Sequence, residues 1–74
     1  MIQERPLTPK EVILKDLNRT RQLYQNNVNL FIARRNEATD AEYEQSLQRD
    51  IDYGYQMISV YDQAIYLIKT YLSV

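Results

Sequence analysis

The sequence predicts an all-α protein, a two-helix antiparallel hairpin, and three observations lead there. Leu47, Ile51, Gly54, Ile58, Tyr61, Ile65, Ile68 and Leu72 recur at alternating steps of four and three. That spacing is the seam of a long helix laid against another helix. The composition is helical: one Gly and two Pro in 74 residues, with abundant Leu, Ile, Gln, Glu and Arg. Two similar capping signals, Thr8-Pro9-Lys10-Glu11 and Thr39-Asp40-Ala41-Glu42, then divide the chain into two rods. The expected organisation is an extended lead-in over 1–7 and a hairpin over 8–74, with helix 1 about 9–36 and helix 2 about 40–73.

Helix 1 has four start signals. Thr8 suits the N-cap, where its hydroxyl accepts from a free backbone N–H. Pro9 at the first helical position gives up only an N–H that has no partner anyway. Glu11 can reach back to close a capping box, and Leu7 can staple onto Val12. The helix then presents Ile13, Leu14, Leu17, Tyr24, Val28 and Phe31 on one face, widened by Leu23 and Leu30. Thr20 and Arg21 interrupt the middle of that face, and Asn26, Asn27 and Asn29 lower helix propensity. Arg34 and Arg35 complement the negative helix end, and Asn36, tolerant of positive φ, is the expected terminus.

A connector over 36–39 leads to Thr39, the expected cap of helix 2, with Glu42 completing its box. Asp40, Glu42 and Glu44 favour the positive end of that helix. So short a connector makes the rods antiparallel neighbours, with facing positions whose numbers sum to about 75. Phe31 then faces Tyr43 or Leu47, Tyr24 faces Ile51, Leu17 faces Ile58 and Leu14 faces Tyr61. Arg21 falls opposite Gly54, within reach of Asp50. Past Ile65 helix 2 is expected to overhang, because Pro6 and Pro9 prevent helix 1 from continuing.

Helix 2 carries a second apolar series beside the first: Tyr53, Met57, Val60, Ala64, Leu67, Tyr71 and Val74. Together the two span roughly half the helix circumference, whereas a surface helix usually needs only about a 100° stripe. One partner helix covers the first seam but hardly both. A chain this small has little net stability from its own core, and with neither Cys nor His it has no disulfide and no usual zinc ligand set. Self-association is the remaining support. The series Tyr53 to Tyr71 is the expected surface for pairing two hairpins into a four-helix bundle, a dimer being favoured.

Charge divides unevenly. Residues 1–35 hold seven basic groups against three acidic, and residues 36–74 hold two against seven. Two helices of opposite charge attract one another. A nucleic-acid-binding helix 1 using Lys15, Arg19, Arg34 and Arg35, with tyrosines stacking on bases, is the rival reading, against which the acidic half would repel phosphate.

No enzyme is expected. The commonest general base and the strongest nucleophile are both missing, and a single Gly cannot build a phosphate loop. Glu37, Asp40, Glu42 and Glu44 have no calcium-loop spacing and serve the helix dipole, so neither metal nor cofactor is expected. No apolar run approaches the roughly 20 residues of a membrane-spanning helix, and the first residues lack a signal-peptide core. The expected location is cytoplasmic.

Six of the seven tyrosines fall in helix 2. Tyr55 and Tyr66 align with Ser59, Asp62, Lys69 and Ser73, away from both apolar series. Tyr55, Asp62, Tyr66 and Lys69 are therefore candidates for contact with a protein partner, since Tyr is enriched at binding hot spots. The outline resembles plasmid copy-control hairpins that dimerise into four-helix bundles. The turn Thr39-Asp40-Ala41-Glu42-Tyr43-Glu44-Gln45 also resembles that of the small co-chaperones that guard type III secretion needle subunits. The second resemblance implies a hetero-complex. The functional expectation is a regulator, inhibitor or adaptor that self-associates through helix 2 and binds another macromolecule. An obligate hetero-partner of another helical protein is the alternative, and a small ligand held between protomers is a further one.

Overall fold

The structure, a computed structural model, describes residues 5–73. It consists of α1 (Pro9–Glu37) and α2 (Ala41–Tyr71), folded back on each other as an antiparallel hairpin. Residues 1–4 of the expected lead-in and Val74 of the second apolar series lie outside the described residues.

The start of α1 follows its sequence signals in part. Thr8 is extended, and its Oγ1 accepts from the Glu11 backbone N–H at 3.2 Å. Glu11 does not complete the box: its carboxylate accepts instead from the Arg5 guanidinium at 2.8 Å. Leu7 and Val12 line one shallow hollow, as a hydrophobic staple requires. The three Asn do not break the helix. Gln22 donates to Asn26 at 2.9 Å and Gln25 donates to Asn29 at 3.0 Å, one-turn pairs that support a helix surface.

Both helix junctions differ from expectation. Asn36 stays helical, and the chain leaves α1 through Ala38 in extended conformation (φ −70°, ψ 135°), its N–H bonded to the Arg35 carbonyl at 3.1 Å. No described residue has positive φ, so Asn36 does not act as a left-handed terminus. Asp40 rather than Thr39 caps α2, its Oδ1 accepting from the Glu42 N–H at 3.1 Å. A carboxylate at the positive helix end combines the cap hydrogen bond with charge complementarity, which a Thr hydroxyl lacks.

The primary seam of α2 faces α1 along its length. Leu47, Ile51, Gly54, Ile58 and Ile65 are buried, and Tyr61, Ile68 and Leu72 are half-buried. The register, however, is displaced by one heptad. Val28 lies against Gly54, Arg21 meets Asp62 and Arg35 meets Gln48, so facing numbers sum to 82 or 83. A stripe that repeats every seven residues presents the same face after a seven-residue slide, so periodicity cannot separate the two registers. Local fit separates them. Gly54 receives the branched Val28 side chain, which is 0% exposed, instead of Arg21. Arg21 gains a carboxylate, its Nε donating to Asp62 Oδ1 at 2.5 Å rather than reaching Asp50.

The slide moves the overhang from one end of α2 to the other. Tyr43, expected opposite Phe31, is 47% exposed, because the first turns of α2 extend past the end of α1. At the far end Ile68 and Leu72 are partly covered, and Lys10 Nζ donates to the Lys69 carbonyl at 3.2 Å. Within α1, Leu14 and Leu17 turn inward while Ile13 is exposed.

Two helices make a single layer. The molecule is only 11 Å along its shortest principal axis, and its radius of gyration is 17.2 Å. A compact chain of this length would have about 11 Å. Domains ordinarily bury a core between two packed layers. Here the core is one line of side chains centred on Val28, Ile51 and Ile58, with Tyr24, Phe31 and Ile32 against it.

A methyl added at Gly54 would collide with Val28 Cγ2. Val in a helix has little rotamer freedom with which to withdraw. Overpacking costs roughly 1–3 kcal/mol, against about 1 kcal/mol of helix propensity gained over Gly. Gly54→Ala is therefore expected to lower the midpoint of thermal unfolding, and Val28→Ala in that background to recover part of the loss. Circular dichroism melts of the single and double variants check this.

Candidate interaction face

The hairpin has two unlike sides. Successive residues on a helix are turned by about 100°, so Tyr53, Val60 and Leu67, with Met57, Ala64 and Tyr71, flank the primary seam on one side of α2. The Tyr24 ring of α1 meets that flank. It packs edge-on to Tyr53 at 6.4 Å between centroids and tilted against Tyr61 at 5.7 Å. Tyr24, Phe31 and Tyr53 border one hollow whose floor is Val28 and Gly54. A neighbouring hollow joins Leu23 to Tyr24 and Asn27. The second apolar series of α2 and one flank of α1 thus form a single apolar face. Tyr53, Val60, Leu67 and Tyr71 are exposed there, Tyr71 at 74%, while Met57 and Ala64 are half-buried.

The opposite side is polar. Arg21 and Asp62 pair across the helices, and Arg35 donates to Gln48 at 2.6 Å. Tyr55 and Tyr66 stand on this flank of α2, one turn or two from Asp62, and both are exposed. Lys69 is exposed as well, with its backbone carbonyl taken by Lys10. Asp62 departs from the expected outward stripe, because its carboxylate turns across the seam to Arg21. The pair is too exposed to add much stability. Its effect is to fix which edge of the seam is polar.

Of the basic residues expected to meet nucleic acid, Lys15, Arg19 and Arg34 are exposed on α1. Arg35 is half-buried against Gln48, whereas Lys15 and Arg19 border the hollow beside Leu7 at the start of α1. Among the described residues no group of three or more acidic side chains is placed to hold a metal ion. Among the described residues no helix is long and apolar enough to cross a membrane. No family model, curated protein or solved structure matches the chain.

By their spacing Tyr24 and Phe31 belong to the core. They also form the α1 half of the exposed face. The available signal was Leu23 and Leu30, each one residue before a core aromatic and so both on the same flank of α1.

Partial burial pushes the Tyr24 phenol above its ordinary pKa, and the nearby Tyr53 and Tyr61 act in the same direction. The ordinary tyrosine value is about 10. Above that pH the hairpin holds a proton that the unfolded chain releases, so this contribution to stability is present below about pH 10 and is lost as pH climbs. Thermal melts at rising alkaline pH are expected to show stability falling, with a shallower fall for Tyr24→Phe. A wild-type loss no steeper than that of the variant counts against the assignment.

Proposed function

We propose that this hairpin is a non-enzymatic binding protein that self-associates through its apolar face, two copies forming a four-helix bundle. It acts as a regulator, inhibitor or adaptor by docking onto another protein. One observation carries the reading: a single-layer molecule whose α2 leaves Tyr53, Val60, Leu67 and Tyr71 exposed on one side. Apolar surface of that extent on a helix stabilises most when covered, at about 25 cal/mol per Å² removed from water. A second hairpin supplies a matching surface and converts one layer into two.

In this assembly Tyr53, Met57, Val60, Ala64, Leu67 and Tyr71 make the contact between copies. Tyr55, Tyr66 and Lys69, on the other flank, stay outward and form the surface for a different protein, with Asp62 engaged by Arg21 at its edge. The alternative keeps the same face but fills it with a foreign helix, making the chain an obligate member of a hetero-complex.

Light scattering on the purified chain at micromolar concentration is expected to give the mass of a dimer. Leu67→Asp places a carboxylate in the middle of the proposed contact and is expected to halve that mass and to reduce helicity by circular dichroism. An unchanged mass and spectrum would refute the assignment of Leu67. A wild-type monomer would transfer the face to the foreign helix.

A further inference from the structure

The hollow over Gly54 has a chemistry that the rest of the apolar face lacks. It measures about 270 Å³, and Tyr24, Phe31, Tyr53, Asn27 and Asp50 stand around it. Ligand pockets for whole small molecules are usually about 300–1,000 Å³. This one is open and at the low end, which suits one side-chain head group. The Tyr24 and Tyr53 ring planes meet at 68°, forming an aromatic corner. Asp50 is the only charged group on the rim. The two ion pairs among the described residues, Arg5 with Glu11 and Arg21 with Asp62, leave it out. One helical turn away on either side stand Ser46 and Gly54, neither of them basic.

We infer that this hollow is a seat for an arginine side chain presented by a bound protein partner. A planar guanidinium stacks on an aromatic ring while donating two parallel hydrogen bonds to a carboxylate, here Asp50. The Asn27 carbonyl oxygen is a further acceptor on the rim. A lysine ammonium, a compact and strongly hydrated charge, uses neither the planar stacking nor the paired geometry as well. Gly54 matters because its missing side chain leaves the hollow its depth between the two helices. The arginine is assigned to a different protein, because a second copy brings to this face the same acidic half, two basic groups against seven acidic over residues 36–74. The inference rests on the alternative reading above, a foreign helix on this face, because a second copy seated across Tyr53 would cover the hollow.

The test is a nuclear magnetic resonance titration of the full chain with N-acetylargininamide, following the Tyr24 and Tyr53 ring signals. N-acetylcitrullinamide, of nearly the same shape but uncharged, is the control. Saturable shifts are expected with the arginine probe, with binding about fivefold tighter than for the citrulline probe. Asp50→Asn, at an exposed position, is expected to keep the helical spectrum and abolish that preference. No shift, equal binding of the two probes, or a preference that survives Asp50→Asn overturns the proposal. Light scattering on the same samples reads self-association separately. A fall in mass for Asp50→Asn would give the seat to a second copy and overturn the assignment to a foreign partner.

Discussion

The structure depends on how closely α1 and α2 approach where Val28 enters the notch at Gly54. A heptad stripe on each helix permits several alignments that differ by whole repeats and bury similar surfaces. Only the one that sets a β-branched side chain over the residue without a Cβ brings the backbones together at that point. The other placements follow from it. Arg21 comes level with Asp62, Arg35 with Gln48, and Lys10 with the last turn of α2. The polar contacts agree with the register, but they are at least partly open to solvent and individually weak. Apolar fit at the centre selects it.

That register also decides what each edge of the seam is made of. On one edge three charged side chains and a glutamine close the gap, and they need no further cover. On the other edge Tyr24 leans over Tyr53 and Tyr61, and the aromatic surface continues outward along α2. A plate 11 Å thick has no interior on which to fold this surface back. The proposed assembly and the proposed arginine seat both draw on this same imbalance, one along the length of α2 and the other at the notch.

Much of the fold was legible in the sequence. The primary seam of α2 was read residue for residue because eight positions held one period, and Thr8 with Pro9 left little freedom for the start of α1. Three features were not legible, each for a physical reason. The register was ambiguous by seven residues, since repetition is what makes a seam readable and also what makes it slide. The caps at Asn36 and Thr39 were misplaced because adjacent residues there all suit a helix end, and hydrogen-bond geometry chooses among them. The contribution of α1 to the exposed face was missed because Tyr24 and Phe31 are half in the core and half out, a division that periodicity does not express. For the face itself, the sequence identified the α2 residues and could not say which flank of α1 would adjoin them.

The reversal between the rods also has a consequence. The chain turns over Ala38, Thr39 and Asp40 with no glycine, no proline and no left-handed residue, held at its ends by one carboxylate and one carbonyl. Nothing in this bend demands a special backbone, and no buried side chain is anchored there. It is the one point in the hairpin where length and composition are free to drift, so a tether or an inserted peptide placed at Thr39 would hang from the tip without disturbing the packed line below.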